Sequence, residues 1–143
     1  MLVLQSLWGW FESVRSAAEQ ASTHGFDGLE CNVMHPCLQG VDAAEVRQLL
    51  SAHGLVLILE ITTGGDYTPD LADGPQRHLQ QLEDLLGRAH ALEPLKINLI
   101  TGSDSWPEPE QHRFLEAVLD RSEAGPCPVM VETHRSRSLF NPW

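Results

Sequence analysis

Five short apolar runs, at residues 2–8, 28–33, 55–62, 96–101 and 129–133, alternate with four longer segments whose apolar residues recur with helical spacing. A strand sends successive side chains to opposite faces, and a helix brings every third or fourth to one face, so the two rhythms spell βαβαβαβαβ. Each helix must return the chain to the end where the previous strand began. That requirement makes the strands parallel and the crossovers right-handed. The first helical segment spans 11–24, with Phe11, Val14, Ala17, Ala18 and Ala21 as its apolar stripe and Gly25 as its stop. The second opens on Asp42 as N-cap, with Glu45 completing a capping box and Val41 stapling onto Val46; Ala43, Val46, Leu49 and Leu50 face the sheet before Gly54 ends it. The stop Ser51-Ala52-His53-Gly54-Leu55 echoes Ser22-Thr23-His24-Gly25-Phe26 one βα step earlier, a weak internal repeat that a shared Gly stop also explains. The third helix begins near Pro75 and buries Leu79, Leu82, Leu85, Leu86, Ala89 and Leu92. The fourth begins near Pro107, with Ser105 and Glu108 as a capping pair and Phe114, Leu115, Val118 and Leu119 toward the core. The long connection 64–74 carries Asp66, Tyr67 and Asp70, and such loops after parallel strands are where binding residues commonly sit.

No linker interrupts this pattern, so residues 1–143 read as one domain, and 42% hydrophobic with 20% charged residues is an ordinary globular balance. A net charge of -11 disfavours duplex DNA or an anionic membrane as a partner. Cys31, Cys37 and Cys127 are odd in number and lack CxxC spacing, which reads as free thiols in a reducing compartment. With no signal-peptide pattern and no long apolar span, the sequence reads as cytoplasmic.

The two faces of the strands differ in character. In the third, Leu55, Leu57, Leu59 and Ile61 make one wholly apolar face, leaving Val56, Ile58 and Glu60 on the other. In the fourth, Ile97 and Leu99 oppose Lys96, Asn98 and Ile100; in the second, Leu29, Cys31 and Val33 oppose Glu30 and Asn32. The same parity turns Gln5 of the first strand inward and leaves Ser6 and Trp8 on the alternate face. In the fifth, Glu132 and His134 turn away from Val129, Val131 and Thr133, so one strand end presents a carboxylate and an imidazole together. A doubly wound sheet is apolar on both faces. Repeated Glu, Asn, Lys and His on one face fits instead the interior of a (β/α) barrel near its C-terminal mouth; scattered strand-end polar residues in a flavodoxin-like sheet are the alternative.

Three segments, Gly25-Phe26-Asp27-Gly28-Leu29-Glu30, Ile97-Asn98-Leu99-Ile100-Thr101-Gly102 and Val131-Glu132-Thr133-His134, taken in order, resemble the second, fourth and fifth strands of the xylose isomerase-like superfamily of TIM barrels, a group of sugar isomerases and epimerases. The resemblance implies an α/β fold, a partial (β/α)8 TIM barrel of five parallel strands and four helices. It also implies a small carbohydrate substrate and proton transfer next to a sugar carbonyl polarised by a divalent metal (Mn, Mg, Co or Zn). Glu132 matches the family's first metal ligand, His134 becomes a group near the substrate, and Glu30 and Asn98 shape the sugar pocket. Trp8 and Trp10 are either a wall for the sugar ring or rim packing. A complete barrel takes about 250 residues, so the chain reads as incomplete, with little or no isomerase activity of its own.

Other signals are weaker. Cys31, His35 and Cys37 lack the second ligand pair of a zinc site. His24, His53, His90 and His112 lie on or at the ends of helices, in solvated or dipole-facing positions. Arg135 and Arg137 flank the mouth and read as solvated. Apurinic endonucleases share the barrel, but the acidic charge argues against a nucleic-acid substrate. A noncatalytic assembly module is the third reading, with strands one and five as open edges that pair chains into a homo-oligomer.

Overall fold

In the computed structural model, which describes residues 1–139, the strands are β1 (Leu4–Ser6), β2 (Gly28–Asn32), β3 (Val56–Thr62), β4 (Lys96–Ile100) and β5 (Val129–Val131). The helices are α1 (Val14–Thr23), α2 (Ala43–Ala52), α3 (Pro75–Ala91) and α4 (Glu108–Glu123), and a 3-10 turn, Pro36–Leu38, follows β2. The strands form one parallel sheet in the order β1-β2-β3-β4-β5. That order decides the architecture. A doubly wound sheet reverses its strand order so that helices cover both faces, whereas an order that never reverses places every right-handed crossover on the same face. The flavodoxin-like alternative is thereby set aside.

Burial follows from one-sided winding. The helix-facing side carries Leu29, Cys31, Leu57, Leu59, Ile61, Ile97 and Leu99, all buried against Ala17, Ala18 and Ala21 of α1, Val46, Leu49 and Leu50 of α2, Leu79, Leu82 and Leu86 of α3 and Phe114 and Val118 of α4. The other side carries Ser6, Glu30, Asn32, Glu60 and Asn98, none of them fully buried. Ile58 and Ile100 are buried on this side as well, yet at about 25 cal/mol per Å² of apolar surface removed from water the continuous helix-facing side contributes most to stability.

The echoed helix stops are the same motif built twice. His24 and His53 each close a helix, and their Nδ1 atoms lie 2.8 Å and 2.9 Å from the carbonyls of Gln20 and Leu49. Gly25 and Gly54 then take positive φ, and Phe26 and Leu55 donate back to Ala21 and Leu50, both at 2.9 Å. This six-to-one closure satisfies the orphan carbonyls and turns the chain straight into the next strand.

Four expectations change. The first helix starts at Val14 behind the Ser13 cap, so Phe11 precedes it and is 94% exposed. Gln5 pairs in register with Leu29 and turns to the helix side, reaching Gln20, while Ser6, opposite Glu30, takes the polar face. The half-buried orientation of Gln5 follows from strand parity, with Leu7 as the next helix-facing residue. The fourth helix has Pro107 as its cap position without a side-chain cap; Ser105 bonds Ser103 instead, because the proline already turns the chain. Leu119 is exposed, since α4's buried stripe is Gln111, Phe114 and Val118, and its flank overhangs the edge strand β5.

Candidate functional site

Strand ends and following loops converge on a pocket of about 530 Å³ on the polar side of the sheet. Ser6, Glu30, Asn32 and Glu60 come from β1–β3, Trp8 and Gly9 follow β1, Met34, His35 and Pro36 follow β2, Asp66 and Tyr67 follow β3, and Glu132 follows β5. Glu30, Glu60 and Glu132 therefore share one cup.

The floor is a hydrogen-bonded lattice. Asn98 Nδ2 donates to Glu30 Oε1 at 3.2 Å, reaching from β4 to β2 across the intervening β3. Asn32 Nδ2 donates to Glu60 Oε1 at 3.1 Å, and Tyr67 Oη donates to the same oxygen at 2.8 Å. Amide and phenol donors hold the carboxylates in fixed orientations without neutralising them. Burial, followed by the Glu60 carboxylate, pushes the Tyr67 phenol well above its ordinary range, so it remains a donor. Trp8 stands at the rim, 73% exposed, its ring 4.9 Å from that of Tyr67.

The residues marked out by sequence divide into groups. Trp8, Glu30 and Glu132 line the cup, and Asn98 joins through Glu30. His134 does not line it. The strand ends at Val131, so alternation no longer governs residue 134; its ring packs 5.6 Å from Tyr67 and its Nδ1 lies 3.1 Å from the Arg135 carbonyl. Among the described residues no three His, Cys, Asp or Glu side chains gather as a group able to hold a metal ion, so the donors present, Glu132 included, do not fit a divalent cation by themselves.

Arg137 overturns the solvated reading. It is completely buried and donates to four backbone carbonyls, those of Thr63 (2.6 Å), Gly102 (3.2 Å), Tyr67 (3.3 Å) and Asp66. Its fork exchanges water for loop carbonyls, fastening the Tyr67 loop to the segments after β4 and β5. Near it lies His78 of α3, which the sequence pattern did not mark out though it falls four residues before Leu82 on the buried stripe. Its Nδ1 lies 2.9 Å from Thr63 Oγ1, which lies 2.6 Å from Thr101 Oγ1. A Cβ on Gly64 would come within 2.0 Å of the His78 ring, which explains a glycine there at φ +65.

Sequentially ordered parallel strands, helices on one face and polar strand ends around a cup define part of a (β/α)8 barrel, five strands and four helices of it. Among solved structures the chain is similar to L-ribulose 3-epimerase, at 20% identity and TM-score 0.67 over 91% of this chain and 48% of that one. It is similar too to D-psicose 3-epimerase from Clostridium cellulolyticum H10 with D-tagatose (18%, TM-score 0.63, 86% of this chain and 48% of that) and to the IOLI protein with a bound zinc atom (10%, TM-score 0.72, 97% and 54%). At these identities the likeness is one of fold, and the chain spans about half the length of the structures it matches. No family model matches the sequence, and comparison with curated proteins gives no match. No helix among the described residues is long and apolar enough to cross a membrane.

Proposed function

We propose that this chain supplies the sugar-binding cup of a metal-dependent isomerase or epimerase that moves a proton at the carbon beside a sugar carbonyl. The observation that carries the reading is the convergence of Glu30, Glu60 and Glu132 on one pocket beside the Trp8–Tyr67 wall. Carboxylates accept from sugar hydroxyls, side-chain amides serve as donors and acceptors, and an aromatic face covers the apolar C–H side of a ring. Fold likeness to ketose 3-epimerases supports the same substrate class.

Within this proposal Trp8 is the wall, Glu30 with Asn98 shapes the floor, and His134 acts on the rim through Tyr67. Glu132 is the chain's contribution to a divalent metal, Mn, Mg, Co or Zn. Because the described residues bring no three donors together, the chain on its own binds sugar without converting it. The cup's lining contains no Lys or Arg among the described residues, which argues against the phosphate backbone an endonuclease must hold.

The test titrates a free ketohexose into the purified protein, with and without Mn²⁺, following tryptophan fluorescence and the epimer ratio. Saturable quenching that Trp8→Leu abolishes, with no interconversion under either condition, is expected. Quenching unchanged by Trp8→Leu contradicts the cup, and turnover contradicts the binding-only role.

A further inference from the structure

The loop that brings Tyr67 over the cup is gripped at its base from two sides. Thr63 and Gly102, which follow β3 and β4, each give a backbone carbonyl to Arg137, at 2.6 Å and 3.2 Å. The same two residues turn other groups to His78: the Thr63 hydroxyl lies 2.9 Å and the Gly102 nitrogen 3.3 Å from its Nδ1. The second contact fixes the protons. An amide N–H only donates, so Nδ1 holds a lone pair, and the hydrogen of the neutral ring sits on Nε2, which is buried with no hydrogen-bond partner among the described residues. The Thr63 hydroxyl therefore donates to Nδ1 and accepts from that of Thr101, 2.6 Å away.

A second proton on the ring has one place to go, Nδ1, where it meets the Gly102 N–H donor. It also sets a positive imidazolium behind two residues that already hold a buried guanidinium. The charges acting on His78 are Arg137, which opposes protonation, and Asp73 of the loop before α3, which favours it; Asp66 acts on Arg137. The end of β4 brings Thr101 and Gly102, and α4 with its entry brings Phe114 and Trp106, none of them charged. Neither His78 nor Arg137 has an ion-pair partner among the described residues. Burial first, then Arg137, keeps the ring neutral down to about 4. What the grip holds is light. Of residues 64–74 only Gly64 and Pro69 are buried, so this loop can part from the molecule while the sheet and its helices keep their core.

We propose that His78 is a proton-operated latch on the cup: its neutral ring positions Thr63 and Gly102 for Arg137, and its protonation lets the Tyr67 loop swing off the mouth. Opening withdraws the Tyr67 phenol from Glu60 and its ring from Trp8, so an acidified cup loses its ligand. Only this last consequence rests on the sugar-binding reading. In the open form the ring meets water and titrates near its ordinary value of about 6.5. Each pH unit below that value then favours opening about tenfold, until the closed form titrates as well.

The test is hydrogen exchange of the purified chain without sugar, followed amide by amide by NMR between neutral and mildly acidic pH and corrected for intrinsic rates, alongside the imidazole nitrogens of His78. The amides of Gly64, Asp70 and Gly102 bond the Gln81 side chain, the Gly64 carbonyl and His78. They are expected to lose at least about tenfold in protection two pH units below the open-form value, while the ladder amides of β2, β3 and β4 keep theirs. His78→Gln retains every carboxylate of the loop and should leave the same three amides unchanged across the range. A proton on Nδ1 at neutral pH, equal losses in loop and sheet, or the same pH dependence in His78→Gln overturns the proposal. If that variant does not fold, the unaltered chain decides: a His78 ring that takes up its proton with the loop amides still protected overturns it too. With no sugar present, failure of the latch is distinct from failure of the cup.

Discussion

His78 shows how one buried ring constrains the molecule. It is wholly buried, packed edge-on against Trp106 at 4.9 Å, and its Nδ1 accepts from the N–H of Gly102 at 3.3 Å. Burial, then the positive charge of Arg137, lowers its pKa from 6.5 to about 4. Between those values the unfolded chain binds the extra proton and the folded chain does not, so stability falls as pH falls through that window. At about 1.36 kcal/mol per unit, the loss is on the order of 3 kcal/mol. Urea midpoints at pH 7 and pH 4.5 measure it: the native chain should lose markedly more than His78→Gln, and equal losses would contradict the assignment. His78 was legible in principle, because it shares the stripe of Leu82 and Leu86, but histidine is seldom counted as a core residue.

At the scale of elements, the loops after β3, β4 and β5 behave as one unit because Arg137 joins them. Its four carbonyl partners come from residues 63, 66, 67 and 102, and Ser138 adds a hydrogen bond to the Ser103 carbonyl at 3.3 Å. Removing the guanidinium leaves buried carbonyls without donors, so Arg137→Met should cost about 3 kcal/mol or more. It should also expose the Tyr67 loop to proteolysis, whereas Arg135→Met at an exposed position should change stability by no more than about 0.5 kcal/mol. Matching chemical denaturation curves for the two variants would refute the clamp. The helices themselves were readable from capping and periodicity: Asp42 caps α2 by accepting from Ala44 and Glu45, as its spacing requires. Leu119 was misread because helical spacing reports a stripe and is silent on whether a neighbour covers its flank. Arg137 escaped because its partners are main-chain atoms that no side-chain pattern marks.

For the molecule as a whole, the repeated polar residues at alternate strand positions specified the architecture. Glu30, Asn32, Glu60 and Asn98 share a face by strand register, and one-sided winding, which the unreversed strand order gives, is what leaves that face free of helices. What sequence could not give was the closure of the cup by loops. Tyr67 arrives from residues 63–74, and its bond to Glu60 depends on a backbone path that Arg137 fixes. Whether the polar side of this one-sidedly wound sheet is a carbohydrate cup is decided by mapping ketohexose-induced NMR shifts over the whole chain. A sugar cup there predicts saturable changes at the Trp8 indole, the Asn32 and Asn98 side-chain amides and the Tyr67 loop, while a second groove, between the end of α4 and β5 and lined by Leu119, Cys127 and Val129, stays unmoved. Shifts confined to that groove, or none around Glu30 and Glu60 at saturating sugar, would contradict it.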